Sequence, residues 1–326
     1  MPVPKRSSSI FNFSKKQLLL LKWAVLFFIP VTIVYGILEV MVLEIPMNYK
    51  IIGSHLKANA DEIELAAFGS SQIKTAFNPA LSTKMAINFA STSQHHNEDF
   101  HILKQTQKRL PKLKYILLEV SYNHFELPHH PSDYWKNTIY LKHYDVNAFE
   151  RPTYFKDRLV YLSNPRFYSH KFMDYYYYKT DKVVLNEYGF DENNFDGDFK
   201  KMNYNKQKIA KNKFKIYTHE DLPVFETNTA FLYKILDYTK AENLKVIICT
   251  APLYSTYLKK RNPAIVKRRD SVLSLIKRKY PNVSLLLKEE DSLNFSVTDF
   301  LDENHLNPDG AKKYTSLINA QIDNLH

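Results

Sequence analysis

The segment Leu65-Ala66-Ala67-Phe68-Gly69-Ser70-Ser71-Gln72 joins a short apolar run to a polar turn. Apolar residues that end at a glycine are typical of a buried strand followed by a tight turn. The residues after this turn favour the start of a helix. We therefore predict a strand, a turn and a helix in this order, with serine hydroxyls at the turn.

The same alternation continues along the chain. Short apolar runs predict four more strands, at residues 85–89, 115–120, 245–249 and 283–287. Apolar residues at helical spacing predict helices at 98–110, 264–280 and 310–324, and a further one around 231–238. Strands that are apolar throughout and alternate with amphipathic helices predict a parallel sheet with helices on both faces. Polar clusters follow four of the five strands, and the carboxyl ends of such strands are where functional sites lie.

Residues 126–225 interrupt this alternation. The stretch holds 23 of the chain's 46 aromatic residues, together with several prolines and a run of Asn and Asp residues. We predict an insertion of loops and short helices that packs over the rim of the sheet. Its aromatic residues could line a sugar-binding cleft, but we favour the interpretation that a glycine-poor insertion uses them as its own core.

Composition restricts the class of protein. The chain has 326 residues, 44% of them hydrophobic, which is enough for a proper core. Its net charge is +11, but five basic and no acidic residues precede Trp23, which leaves +6 for the rest. Because the other lysines are scattered among acids, the charge argues against nucleic-acid binding. The single cysteine, Cys249, excludes an intrachain disulfide and lies in a predicted buried strand.

A long apolar run near the N-terminus predicts a transmembrane helix at residues 18–43. Its 26 residues rise about 39 Å as a helix, more than the roughly 30 Å hydrocarbon core, so we expect tilt or fraying near Glu39. Basic residues precede the run, so the positive-inside rule places residues 1–17 in the cytoplasm and the later part outside. We expect residues 44–61 to be a linker to a domain at 62–326. A cleaved signal peptide is the alternative, although no small-x-small site follows the run.

Near the C-terminus, Asp302 and His305 stand three residues apart before the last predicted helix. This spacing can place the carboxylate against one imidazole nitrogen while the other nitrogen faces outward, as a general base requires. Asp299 competes with Asp302 as the orienting acid, but its spacing is less suitable. With a serine of the first turn, these residues would complete a catalytic triad.

Four blocks in this order resemble the SGNH (GDSL-like) hydrolase superfamily. They are Gly69-Ser70-Ser71, Asn88-Phe89-Ala90-Ser91-Thr92-Ser93, Ser121-Tyr122-Asn123-His124 and Asp302-Glu303-Asn304-His305. The resemblance implies that Ser71 is the nucleophile, that His305 is the base and that Asp302 orients it. It also implies oxyanion donors at Ser93 and Asn123, and a three-layer α/β/α fold with a five-stranded, flavodoxin-like parallel sheet.

The blocks depart from the superfamily at several positions. Ser70 stands where Asp is usual and would shape the turn or donate a hydrogen bond. Ser93 stands where Gly is usual, but its backbone N–H remains available unless the local conformation requires glycine. Ser121 and His124 stand where Gly and Asp are usual, which leaves Asn123 as the matching residue of that block.

A Gly-Ser-Ser block with an N-terminal anchor and a long insertion looks like the envelope-modifying members of the superfamily, the teichoic-acid D-alanylation and alginate O-acetylation proteins. This resemblance implies a single-pass protein of the bacterial cytoplasmic membrane, acting without a cofactor as an esterase or O-acyltransferase on acyl esters of an envelope glycan. An envelope polysaccharide and a membrane acyl-donor protein are the implied partners. The alternative is a catalytically degenerate scaffold that holds partners in an envelope assembly.

Two pairs of adjacent histidines, His95-His96 and His129-His130, are candidates for a metal site. Adjacent side chains point in different directions, and no convergent carboxylate or thiolate set accompanies them. We therefore expect these histidines in solvated loops, and no metal.

Overall fold

A computed structural model describes residues 14–180 and 183–325. Five parallel strands form one sheet in the order β2-β1-β3-β4-β5. They are β1 (Leu65–Phe68), β2 (Ala86–Asn88), β3 (Tyr115–Glu119), β4 (Lys245–Thr250) and β5 (Val283–Leu287). Each agrees with its predicted bounds to within one residue. The order is that of a flavodoxin-like sheet and confirms the predicted fold class.

Helices of very different lengths surround the sheet. The α-helices are α1 (Lys15–Glu44), α2 (Asn48–Asn59), α3 (Ser71–Ala76), α4 (His96–Thr106), α5 (Lys136–Ile139), α6 (Val160–Ser163), α7 (Pro165–Phe172), α8 (Asp198–Lys201), α9 (Lys206–Lys211), α10 (Leu222–Ala241), α11 (Ser255–Leu258), α12 (Pro263–Lys279) and α13 (Pro308–Asp323). Short 3-10 helices lie at Pro79–Leu81, Gln107–Arg109, Phe155–Arg158 and Val297–Asp299, and π-helical segments at Tyr140–Tyr144 and Met173–Tyr178.

Apolar side chains cover both faces of the sheet. Ala66 and Phe68 of β1 belong to a core cluster with α2, α4, α10 and α12. Leu65 and Ala67 of the same strand belong to a second cluster with α3 and α13. Because successive strand residues point to opposite faces, a strand that is apolar throughout needs a helical layer on each side. The fold is therefore a three-layer α/β/α sandwich, as predicted.

Residues 48–59, which we expected to lie in a linker, form the helix α2. Tyr49, Ile52 and Leu56 recur at helical spacing and pack into the core. Gly53 allows the insertion to approach closely, because a Cβ atom there would lie 2.4 Å from the backbone oxygen of His143. Polar residues between the apolar ones make this helix inconspicuous in the sequence.

The helix α1 is long and apolar enough to cross a membrane. An 18-residue stretch of α1 has a mean hydropathy of 2.3, and only 6% of this stretch is buried inside the protein. The helix continues through Glu39 to Glu44. The Glu39 carboxylate accepts the backbone N–H groups of Val160 and Tyr161 at 2.8 and 2.7 Å. Three residues later, the side chain of Val42 is fully buried. The C-terminal end of α1 is thus part of the globular domain.

The insertion at 126–225 packs in two places. Its helices α6 and α7 lie along α1. In the π-helical segment that follows α7, the Tyr176 hydroxyl donates to the backbone oxygen of Met41 at 2.9 Å. Its helix α8 packs beside the loop before α13, and Phe199 N–H donates to the backbone oxygen of Leu301 at 3.0 Å. The insertion therefore contacts both the loop before α13 and the helix α1.

Candidate active site

The first residue of α3 and the loop before α13 meet at the carboxyl edge of the sheet. Ser71 Oγ lies 2.8 Å from His305 Nε2. The Nδ1 atom of the same ring lies 2.9 Å from both carboxylate oxygens of Asp302. These separations are hydrogen-bond distances, and they join residues 234 positions apart in the sequence. The structure therefore brings the three predicted triad residues together.

The loop that carries Asp302 and His305 is held by its own backbone. Asp302 Oδ1 accepts the N–H groups of Asn304 at 2.9 Å and of His305 at 3.0 Å, as in an Asx-turn. Across the loop, Leu301 N–H donates to the backbone oxygen of His305 at 2.9 Å. The ring and the carboxylate are thus fixed relative to each other.

Asp302 is held as a carboxylate. Burial acts to raise its pKa, but the hydrogen bond and charge of His305, with the two backbone N–H groups, outweigh burial and lower it. A carboxylate only accepts hydrogen bonds, so the proton of a neutral His305 lies on Nδ1. Its Nε2 then presents a lone pair to the hydroxyl of Ser71, which is the tautomer that a general base needs.

Asp299, the competing candidate, has other partners. Its Oδ2 atom accepts the backbone N–H of Ser296 at 2.7 Å and pairs with Lys313 Nζ at 2.8 Å. These contacts stabilise the start of the 3-10 helix Val297–Asp299 and tie it to α13. The acid beside His305 is therefore Asp302.

The turn before Ser71 requires glycine and is anchored by Glu119. Gly69 has a φ of +142°, and a Cβ atom there would lie 2.5 Å from both Cβ and Oε2 of Glu119. Ser70 donates its N–H to Glu119 Oε2 at 2.6 Å and its hydroxyl to Oε1 at 2.9 Å. Ser70 therefore shapes the turn, while the hydroxyl of Ser71 contacts His305.

Glu119 is a site residue that sequence analysis missed. It ends β3 and is fully buried. Burial raises its pKa, although hydrogen bonds from Ser70 and Ser121 act in the opposite direction. The available signal was one acidic residue at the end of an apolar strand. A buried carboxyl group is tolerated only where it has partners, so such a residue indicates polar contacts.

The two residues predicted to hold an oxyanion lie beyond the ends of β2 and β3. Ser93 has a φ of +57°, so a serine occupies the left-handed conformation that glycine favours. This conformation costs a non-glycine residue about 1–2 kcal/mol. Ser93, Asn123 and Ser71 line one cavity of about 190 Å³. The structure thus places both candidate donors on the wall of the cavity that Ser71 lines.

A cluster of histidine rings borders this cavity. His124 Nδ1 accepts the backbone N–H of Ser121 at 3.1 Å, and its ring stacks on His96 with centroids 4.6 Å apart. The His95 ring packs edge-on against His124 at 5.9 Å. Burial lowers the pKa of His95 and of His124 to about 3, and that of His96 well below its ordinary value. These rings are neutral at physiological pH.

The expectation that His95 and His96 lie in solvated loops is wrong. They are 8% and 1% exposed, because α4 begins beneath the end of β3 and His96 Nε2 donates to the backbone oxygen of Glu119 at 2.9 Å. His129 and His130 are half-buried around them. Among residues 14–180 and 183–325, no group of three or more His, Cys, Asp or Glu side chains is arranged to hold a metal ion.

Comparison with known proteins gives likenesses of structure alone. No protein-family model matches the chain, and no curated protein matches it. A protein provisionally named a platelet activating factor, from Streptococcus pneumonia, has 11% identity and a TM-score of 0.42, covering 90% of this chain and 99% of its own. A provisionally named acylhydrolase from Bacteroides fragilis has 11% identity and a TM-score of 0.39, covering 83% and 94%. A GDSL-like lipase from Bacteroides thetaiotaomicron has 10% identity and a TM-score of 0.41, covering 86% and 98%.

Proposed function

We propose that the chain is a serine hydrolase of the SGNH type that acts on acyl esters and is held at a membrane by α1. The observation that carries this proposal is the 2.8 Å contact between Ser71 Oγ and His305 Nε2, with Asp302 on the other ring nitrogen. A hydroxyl alone is a weak nucleophile at neutral pH, and a correctly oriented imidazole is the group that activates it. The turn that holds Ser71 and the loop that holds His305 are both fixed by hydrogen bonds.

The reaction proceeds in two steps. His305 takes the proton of Ser71 as its Oγ attacks the ester carbonyl, and the backbone N–H groups of Ser71 and Ser93 with the amide of Asn123 hold the oxyanion. The ester C–O bond then breaks, and His305 returns the proton to the departing oxygen, which leaves an acyl-serine. In the second step His305 deprotonates water or a sugar hydroxyl, whose oxygen attacks the acyl carbonyl. The bond between the acyl group and Ser71 Oγ then breaks, and His305 returns the proton to Oγ.

The size of the cavity favours a short acyl group. Its volume of about 190 Å³ is close to the roughly 150 Å³ of an engineered protein cavity that binds one benzene molecule. An acetyl or aminoacyl group fits such a space, whereas a fatty acyl chain exceeds it. Polar side chains such as Gln72, Gln94 and Tyr257 also line the cavity, which suits a polar acyl ester.

We further propose that the second substrate is a hydroxyl group of an envelope glycan outside a bacterial cytoplasmic membrane. The apolar helix α1 supports this proposal, as does the resemblance of the Gly-Ser-Ser block, with an N-terminal anchor and a long insertion, to envelope-modifying proteins. The same triad serves hydrolysis and transfer, and the exclusion of water from the acyl-serine decides between them.

The test uses the full chain in detergent micelles with p-nitrophenyl acetate as substrate. Ser71→Ala is expected to lose at least about 10³-fold in kcat/KM, because the attacking group is gone. The matched control is Ser271→Ala on the exposed side of α12. A labelled fluorophosphonate should tag the wild type and the control but not Ser71→Ala. Equal turnover by wild type and Ser71→Ala would refute the nucleophile and favour the scaffold alternative.

A second assay separates transfer from hydrolysis. The wild type is incubated with p-nitrophenyl acetate and a soluble sugar oligomer, and the products are separated by mass spectrometry. Acetylated sugar that disappears with Ser71→Ala identifies a transferase. Free acetate alone identifies an esterase.

A further inference from the structure

A second cavity, of about 370 Å³, lies between the end of α1 and the candidate active site. Its walls come from residues 46–49, from α3, from α5 and α7 of the insertion, and from residues 183–194. This volume is within the range of small-molecule sites. The proposed hydrolase mechanism uses none of it.

The cavity adjoins the site without including it. Thr75, Thr92 and Leu306 line it, and each lies within four residues of a candidate site residue in the sequence. Ser71, Ser93 and the histidine cluster line the other, smaller cavity. A ligand in the larger space would therefore lie behind the turns that carry Ser71 and His305.

Among the residues that the structure describes, three lysines and one carboxylate are the charged residues that line this cavity. They are Lys74, Lys136, Lys171 and Asp191. The Lys136 side chain is 5% exposed, and its Nζ donates to Ser91 Oγ at 2.9 Å and to the backbone oxygen of Thr92. Lys74 Nζ has no hydrogen-bond or ion-pair partner within the two described ranges, 14–180 and 183–325. A half-buried ammonium without a partner is costly, and an anion in the cavity would supply one.

Electrostatics agree with this geometry. Burial lowers the pKa of Lys74, and the charges of Lys136 and Lys171 lower it further, against the opposing effects of Tyr49 and Asp191. Burial also lowers the pKa of Lys136 to about 8, which leaves it mostly protonated at neutral pH. The lysines repel one another across the cavity, so a bound anion would relieve this repulsion.

We propose that this cavity binds a phosphate group, carried by an amphiphile of the membrane. Ammonium groups act as point charges toward phosphate oxygens. The aromatic rings of Trp135, Phe167 and Phe190 line the same space and suit the less polar part of such a molecule. Pro46, on the cavity wall, is two residues beyond the end of α1, a chain length of at most about 7 Å. With α1 as the proposed anchor, the cavity lies at the end of the anchor that faces the outer leaflet.

Fluorescence of Trp135 can report on occupancy. The chain has two tryptophans, and Trp23→Phe leaves Trp135 alone, on the wall of the cavity. The full chain in dodecyl maltoside micelles is titrated with dodecyl phosphate and, separately, with glycerol 1-phosphate. Lys74→Met is expected to weaken dodecyl phosphate binding at least tenfold, because one charge-assisted contact is removed. Lys74→Arg keeps the charge and should bind within a few-fold of the parent, and Lys277→Met, an exposed lysine of α12, is the matched control.

The outcomes separate the source of the phosphate. Binding of dodecyl phosphate alone, lost in Lys74→Met, supports a membrane amphiphile. Equal binding of glycerol 1-phosphate, lost in the same variant, supports the phosphate site and assigns it to a soluble ligand. No saturable binding of either probe by the parent, or equal affinity in parent and Lys74→Met, overturns the proposal. Because the readout is binding, it is independent of whether Ser71 turns over an ester.

Discussion

Ser70 and Ser71 are adjacent and chemically identical, yet the structure gives them different partners. Ser70 is the N-cap of α3 and bonds to Glu119, whereas Ser71 begins the helix and bonds to His305. Successive residues at a helix start point in directions about 100° apart, so only one of two neighbours can face a given group. The adjacent buried carboxylate thus leaves Ser71 to face the imidazole.

Exchange of Asp302 tests the orienting acid at the level of one residue. Asp302→Asn keeps the shape but allows His305 to take the wrong tautomer, so kcat for p-nitrophenyl acetate should fall about 10³- to 10⁴-fold. Asp299→Asn is the matched control. This substitution removes the negative charge that contacts Ser296 and Lys313, so the free energy of unfolding should fall by about 1–3 kcal/mol. The kcat value should change only a few-fold. The reverse pattern in steady-state kinetics and urea unfolding would show that Asp299 orients the base.

His95 should make the stability of the chain sensitive to acid. Its pKa is about 3 in the folded state, against 6.5 for an ordinary histidine. Between these pH values the unfolded state binds an extra proton, so the stabilisation is complete above pH 6.5 and is lost as the pH falls toward 3. His95→Phe keeps a ring against His124 and should reduce the pH dependence by up to about 1.4 kcal/mol per pH unit.

Urea unfolding at pH 7.5, 6.0 and 5.0 measures this difference. The exposed His219→Phe is the control and should follow the wild type. If His95→Phe and the wild type lose stability in parallel as the pH falls, His95 is not a cause of the acid sensitivity.

At the scale of elements, the strand–turn–helix at residues 65–76 depends on Gly69. Gly69→Ala would force a Cβ atom against Glu119 and place a side chain at a φ of +142°. We expect the free energy of unfolding to fall by at least about 2 kcal/mol. We also expect kcat to fall, because the turn that holds Ser71 must shift. Gly36→Ala in α1 is the control, because a Cβ atom there meets nothing within 4 Å. Both variants are compared by thermal unfolding in micelles and by esterase assays. Equal behaviour of Gly69→Ala and Gly36→Ala would refute this account.

The strands were predictable because each strand is a short apolar run, and such runs give a local signal. Their order in the sheet followed only from the resemblance to a superfamily with a flavodoxin-like fold. The spacing of Asp302 and His305 is equally local, and so is their shared turn. The contacts that the sequence did not reveal are long-range. Glu119 meets Ser70 across 49 residues, and the burial of His96 depends on the end of β3. Periodicity within one segment carries no information about such partners.

At the scale of the whole molecule, α1 is longer than a bilayer requires. Its 30 residues rise about 45 Å, and the hydrocarbon core takes about 30 Å. The excess lies at the C-terminal end, where Glu39 and Val42 contact the domain. The helix passes the predicted span of residues 18–43 by three residues at its N-terminal end, where Ser14 caps it, and by one residue at its C-terminal end.

Glu39→Ala should loosen the segment of the insertion that packs on α1. Two charge-assisted hydrogen bonds to Val160 and Tyr161 would be lost, each worth about 1.5–3 kcal/mol. Amide hydrogen exchange of residues 160–163 should therefore accelerate at least about tenfold. Glu44→Ala is the control, because the Glu44 side chain is exposed and its ion pair with Lys50 is long, at 3.9 Å. Unchanged exchange at 160–163 in Glu39→Ala would mean that other contacts fasten α6 to α1.

The contact between Glu39 and the insertion also bears on how far Ser71 can move from the membrane. A domain joined to its anchor by a flexible linker can move over a wide range of positions. Here α1 contacts the domain directly through Glu39. With α1 across a bilayer, the serine would stay at a constant height above the lipid. If the substrate is a polymer, as proposed above, it would have to pass at this height to react, so the dimensions of the protein would set the distance of the reaction from the membrane.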